Sequence, residues 1–324
     1  MRTNIFTCTM AVLLSLSGFV GAEESTNLWF NPYAITGMTH YKLEYGTGEN
    51  VSSISDDVKL SENIPFIGAG ITGIYDKFSV DASFITSAGM LGDIEDQFGG
   101  YVDPNLANVV YERDIHLKRR TWNLSFGYEL YSNKLANDNL ENIVVFAGYK
   151  GAKTNYGWVD HEYKGNVVKG QEIGVPSKDN EFNTDGWFIG INYGREFELF
   201  GHRGRLGLNL SYAELNGEIE TTRIHKDIGK GLRERTRFEK VNSDTKGISF
   251  GVSWAAGIPS LGDNWSYSIF LERASYEFDA KSGHFTDSFF SDGYNTHEIL
   301  DLDNYDIQET IYSINLSISY FFDL

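Results

Sequence analysis

Cysteine is all but absent from this sequence. The single cysteine among 324 residues, Cys8, lies in an N-terminal apolar run. Beyond that run the chain can form no disulfide, thiolate metal site or thiol nucleophile. Long apolar runs are scarce too. Past residue 22 nothing approaches the roughly 20 apolar residues that a membrane-spanning helix needs. Proline is rare, 5 residues against 34 glycines, a balance suited to twisted strands joined by tight turns. Positive charge is short: 27 Lys and Arg face 45 Asp and Glu, for a net charge of −18. That argues against nucleic acid as a partner. There is no Gly-x-Ser-x-Gly elbow, no His-Glu-x-x-His or EF-hand pattern, and no phosphate or dinucleotide fingerprint. Neither a metal site nor a cofactor is expected.

What is present begins at the N-terminus. Arg2 supplies a positive start, residues 5–20 are mostly apolar, and Val20-Gly21-Ala22 is a small-residue cleavage site before Glu23-Glu24. This is the pattern of a secretory signal peptide over residues 1–22, leaving one domain at 23–324. If the exported chain crosses a membrane, it does so with strands.

The C-terminal thirteen residues alternate. Tyr312, Ile314, Leu316, Ile318, Tyr320, Phe322 and Leu324 take every second place, with Ser313, Asn315, Ser317 and Ser319 between them. A strand sends alternate side chains to opposite faces, so one face is apolar and the other polar. Nine earlier segments repeat the pattern; Leu206, Leu208, Leu210 and Tyr212 are one example. The connections then alternate in length. Short ones fall near 75–77, 132–141, 198–203 and 259–264. Long polar ones fall near 46–63, 90–119, 155–185, 216–245 and 279–305. Short turns at one end and long loops at the other are the layout of a transmembrane barrel. Mean hydropathy of −0.31 and 15% aromatic content agree, because only alternate residues face lipid and aromatics form interfacial girdles. In this, and in its terminal aromatic strand, the chain resembles bacterial outer-membrane β-barrels. One departure is Leu324 at the terminus, where an aromatic is usual. The expectation is an all-β, ten-stranded antiparallel barrel in the outer membrane, with five extracellular loops and short periplasmic turns. Residues 218–222 and 233–237 read as a hairpin projecting past the bilayer.

Charged residues on strand segments are expected to face the lumen, since lipid would penalise them. Those named on this ground are His40, Lys42, Glu44, Asp81, Glu129, Lys150, Arg205 and Glu272. Ten strands lie near the filled end of the barrel size range, so these charges would plug the bore or line a narrow path. Lys118, Arg119 and Arg120 sit just above the outer end of the fourth strand, at the height of lipopolysaccharide phosphates, for which arginine is a bidentate partner. The expected partners are outer-membrane lipid, with lipopolysaccharide as a bound lipid, the barrel-assembly machinery during insertion, and an unidentified extracellular ligand.

Length, strand count and loop layout are similar to those of the omptins, ten-stranded surface proteases of Gram-negative bacteria. Phe146-Ala147-Gly148-Tyr149 resembles their fifth strand. Residues 92–98, Gly-Asp-Ile-Glu-Asp-Gln-Phe, follow strand three, where omptins carry Asp-x-Asp. Residues 224–230 fall in the fourth loop, where omptins carry Asp-x-His. The resemblance implies an acidic pair at Asp93 and Glu95 and a general base at His225, activating water. The residue two before His225 is Arg223, where the family has Asp. A cation there cannot accept the imidazole N–H and would lower the histidine pKa. Asp227, two residues after, is the available acid. With 45 acidic residues in the chain, such spacing also arises by chance, and Asp114-Ile115-His116 is another instance. The leading expectation is therefore a non-enzymatic barrel, acting in structure, surface interaction or narrow solute passage. The alternative is an omptin-like endopeptidase with an altered Asp/His site.

Overall fold

A computed structural model describes residues 28–47, 56–87, 90–98, 109–135, 139–158, 162–164, 172–176, 180–199, 202–227, 234–262, 264–289, 294–299 and 306–323. The side chains of 45–59, 88–116, 157–179, 223–237 and 289–306 lie outside the described set, as does the expected signal peptide. The strands are β1 (Leu28–Thr47), β2 (Asp56–Tyr75), β3 (Phe78–Ser87), β4 (Met90–Phe98), β5 (Val109–Lys134), β6 (Leu140–Trp158), β7 (Glu162–Lys164) and β8 (Glu172–Pro176). They continue as β9 (Asn180–Leu199), β10 (His202–Asp227), β11 (Glu234–Gly257), β12 (Trp265–Phe289), β13 (Tyr294–Ile299), β14 (Asp306–Tyr320) and β15 (Phe322–Asp323).

These strands make ten antiparallel staves. β3 and β4 form the third, and the short strands β7, β8 and β13 prolong the fifth, sixth and tenth. β1 pairs with both β2 and β14, which closes the sheet into a barrel. The two-residue turn Asp76-Lys77 holds Asp76 at φ 52°, a left-handed conformation that a short acidic side chain tolerates.

The wall changes character with height. In the lower part, toward the short turns, outward residues are apolar and exposed: Ile71, Phe126, Ile191, Leu210, Phe250 and Ile314 are examples. Inward residues there are small or polar, such as Ser125, Asn192, Asn209, Ser253, Ser268 and Ser317. Aromatic pairs bound this band. Phe78–Tyr128, Phe197–Trp254 and Trp265–Tyr320, with ring centroids 5.1, 5.3 and 5.1 Å apart, lie on the turn side. Trp122–Tyr149 and Tyr149–Trp187, at 5.7 and 5.1 Å, lie on the other. These are the two girdles of a lipid-spanning barrel.

Above the upper girdle the alternation inverts. On β10 the outward residues become Glu214, Asn216, Glu218 and Glu220, while Ala213, Leu215 and Ile219 point in and are buried. On β11, Lys240, Asn242, Asp244 and Lys246 face out and Val241 faces in. This part is built like a water-soluble barrel, oily inside and charged outside. Lys240 bridges to Glu218 at 2.7 Å and Glu220 at 2.6 Å. Burial alone would lower the Lys240 ammonium, but those two carboxylates outweigh it and hold its pKa above the ordinary lysine value.

The inversion explains where expectation and structure differ. Residues 218–226 and 234–242 form a paired hairpin, with Glu218 opposite Asn242 and Arg223 opposite Arg237. The projecting hairpin is therefore present, but 218–222 pairs with 238–242 rather than with 233–237. Much of 90–119 and 279–305, expected as loop, is likewise strand. Those segments read as loops because their sequences are rich in polar residues.

Glycine fits aromatic rings into the bore. Phe146 lies against Gly190, Tyr276 against Gly247 and Phe270 against Gly251, each so closely that a Cβ at the glycine would strike the ring. Large side chains thus fill a lumen whose own wall residues are small.

Candidate functional site

Among the described residues, two polar ties cross the lumen. Arg119 on the fourth stave meets Glu309 on the tenth, Nη1 to Oε1 at 2.7 Å, and donates to Thr154 Oγ1 at 2.6 Å. Its guanidinium also lies 4.8 Å from the Tyr41 ring centroid. Lys150 on the fifth stave donates to Tyr276 Oη on the ninth at 2.8 Å. Around these ties the upper lumen is packed with Tyr41, Leu43, Leu60, Phe182, Phe278 and Ile307, all buried. A second apolar cluster, including Tyr33, Ile35, Phe66, Phe270 and Phe321, lies lower. Facing walls therefore touch across the bore.

Of the residues expected in the lumen, Asp81, Glu129, Lys150, Arg205 and Glu272 lie on inward positions. Asp81 accepts from Thr72 at 2.9 Å and from Asn123 at 3.3 Å. Glu129 accepts from Asn142 at 2.7 Å, and Arg205 donates to the same asparagine. Glu196, beside them, binds Arg203 at 2.8 Å. His40, Lys42 and Glu44 are placed differently. Tyr41 and Leu43 take the inward positions, each 0% exposed, so the charged trio faces out. His40 stacks toward exposed Tyr312 at 6.3 Å, and Lys42 pairs with Glu44 at 2.8 Å. The physical reason is height: this stretch stands above the apolar band, where the outer face meets water and charges carry no lipid penalty.

Lys118 and Arg120 share the outward face of Trp122, whereas Arg119 is buried in the lumen at 6% exposure. Arg119 is thus a lumenal tie, separated from the surface pair by the strand's alternation. Register brings a residue that sequence reasoning missed. Lys153 of β6 lies opposite Arg120 and pairs with Glu181. Three cations therefore stand on the outer wall near Trp122, Tyr149 and Trp187. The signal for Lys153 was strand register, which no local pattern around it encodes.

For Asp93, Glu95, His225 and Asp227 the backbone alone is described, and their side chains lie outside the described set. Asp93 and Glu95 sit on β4, opposite Asp114 and Glu112 of β5. His225 and Asp227 sit on β10, where His225 falls between Gly174 of β8 and Arg235 of β11. Asp227 is opposite Glu172. The third and seventh staves are four steps apart around one side of the barrel, which puts the two groups on facing walls. Among the described residues no group of three or more His, Cys, Asp or Glu is arranged to hold a metal ion.

No protein-family model matches the chain, and no curated protein matches it. Among solved structures it resembles the outer membrane protease OmpT from Escherichia coli, with a TM-score of 0.59 at 14% identity over 91% of this chain and 97% of that one. The toluene transporter TodX from Pseudomonas putida aligns at TM-score 0.32 and 9% identity, over 98% of this chain and 100% of that one. The translocator domain of the autotransporter NalP from Neisseria meningitidis aligns at 0.32 and 9%, over 95% and 92%. The last two scores carry no fold inference. The likeness to OmpT agrees with the closed ten-stave wall: the chain is an all-β, antiparallel barrel of the outer-membrane type.

Proposed function

We propose that this protein is a non-conducting outer-membrane barrel whose working surface is its tall extracellular wall and mouth, and that it acts by surface interaction rather than catalysis. The observation that carries this reading is the filled bore, with Arg119–Glu309 and Lys150–Tyr276 joining facing walls inside an apolar core. Ions would have to cross that core without water, which is costly. Lys118, Arg120 and Lys153 on the outer wall suit lipopolysaccharide phosphates, and residues 1–22 act as the cleaved export signal. Purified barrel added to a planar bilayer is expected to give no steady current at physiological salt. Regular conductance steps from the intact protein would remove the basis of this reading.

A second reading is supported by the placement of β4 and β10 on facing walls. An omptin-like endopeptidase would set Asp93 and Glu95 against His225 and Asp227 across the mouth. Arg223, standing where the family has Asp, weighs against it. In lipopolysaccharide micelles the wild-type protein is therefore expected to leave a fluorogenic peptide with paired basic residues uncut. Cleavage that is abolished by His225→Ala would establish the protease reading in its place.

A further inference from the structure

Arg273 of β12 stands on the outer wall among apolar neighbours. On its own strand, Leu271 precedes it and Ser275 follows it on the same face. Across β11 it lies opposite Phe250, with Ile248 and Val252 on the diagonals. Across β14 it lies opposite Tyr312, with Thr310 and Ile314 on the diagonals. None of these positions holds an acid. Ile248, Phe250, Leu271, Tyr312 and Ile314 are all exposed, so they face the surrounding lipid. The guanidinium carbon of Arg273 lies 5.5 Å from the Tyr312 ring centroid, within cation–π range. No ion pair of Arg273 occurs among the described residues.

Its height matters as much as its neighbours. Below it on the outer face of β12 are Ile269 and Leu271; above it are Ser275, Glu277 and Asp279. Arg273 is therefore the first charged group above the apolar band on its stave. Lys42, Lys240 and Lys281 each carry their own acid, in Glu44, Glu218 and Asp279. Arg273 carries none. A guanidinium at the edge of hydrocarbon is costly unless an anion approaches it from outside. Stacked on a ring, it keeps its edge N–H groups for a bidentate acceptor, and phosphate fits that fork.

We propose that Arg273, braced on Tyr312, binds a phosphate group of an outer-leaflet glycolipid. The inference rests on the outer-membrane reading above and adds a second point of contact. Lys118, Arg120 and Lys153 stand on the fourth and fifth staves, whereas Arg273 is on the ninth, on the other side of the barrel. The occupant is a lipid rather than free phosphate because of the flanks. Ile248, Phe250, Leu271 and Ile314 offer apolar surface to acyl chains, and an inorganic ion gains nothing from them.

The test is native mass spectrometry of the full-length barrel in neutral detergent, titrated with lipopolysaccharide or with its enzymatically dephosphorylated form. Arg273→Gln is expected to weaken binding of the phosphorylated lipid about tenfold, the scale of one charge-assisted hydrogen bond, and to leave binding of the dephosphorylated lipid unchanged. Arg273→Lys, which keeps the charge but not the fork, is expected to fall between the two and serves if the glutamine variant does not fold. Excess inorganic phosphate is not expected to displace the lipid from the wild type. Equal binding by wild type and Arg273→Gln overturns this site alone. An equal loss toward the dephosphorylated lipid, or displacement by inorganic phosphate, overturns the lipid phosphate as its ligand. A wild-type barrel that takes up no lipopolysaccharide removes this site together with the lipid reading of the outer wall.

Discussion

Replacing Glu309 with alanine is expected to destabilise the barrel by about 3–5 kcal/mol, the usual cost of removing one partner from a buried ion pair. The side chains of Arg119 and Glu309 are 7% and 2% exposed and meet at 2.7 Å. The truncation leaves a guanidinium without its acid among Tyr41, Ile311 and their neighbours. The pair itself need not be strongly stabilising, because two charges were taken out of water to form it. The double substitution Arg119→Met with Glu309→Leu is therefore expected to recover most of the loss or to exceed the wild type. Denaturant unfolding of both variants in lipid vesicles, followed by tryptophan fluorescence, measures the difference. A single variant within about 1 kcal/mol of wild type would mean that the pair is hydrated, and hence that the upper lumen is open.

The second large effect belongs to the lipid face. Ile314→Arg places a cation in the middle of the apolar band, where Ile314 is 51% exposed, and is expected to cost about 2–4 kcal/mol. Lys240→Gln, on the outer wall above the girdle, is the contrast. Its bridges to Glu218 and Glu220 are surface pairs, for which about 0–1 kcal/mol is usual. The same unfolding assay compares them. Equal costs at the two positions would mean that no lipid boundary separates them.

The architecture was legible wherever the outward face is apolar. Leu206 to Tyr212 and Tyr312 to Phe322 display period two without ambiguity, and ten such segments with alternating connections dictate an even, closed sheet. What period two cannot say is which face meets which medium. His40, Lys42 and Glu44 alternate with Tyr41 and Leu43 just as lower segments do, but their height above the girdle reverses the answer. The same reversal hid the upper strands, because Glu218 and Glu220 look like loop residues until Ile219 is seen packed inside. Arg119 was read with Lys118 and Arg120 as one basic run, although strand geometry sends the middle residue the other way. Lys153 depends on pairing between distant segments, which no single sequence window contains. Asp93, Glu95, His225 and Asp227 were read as loop residues, whereas their backbone lies on β4 and β10, and Arg223 stands where the omptin pattern has Asp.

The central claim is a barrel with two zones of opposite polarity and a closed bore. Nitroxide labels placed singly along β10, in a chain whose one cysteine is Cys8, test it most directly by power-saturation EPR in vesicles. Labels at Leu208 and Leu210 are predicted to be relaxed by oxygen, as lipid-exposed sites are. Labels at Asn216 and Glu218 are predicted to be relaxed by a water-soluble nickel complex, and those at Leu215 and Ile219 by neither. Nickel access at Leu215 or Ile219, or oxygen-dominated relaxation at Glu218, would contradict the account.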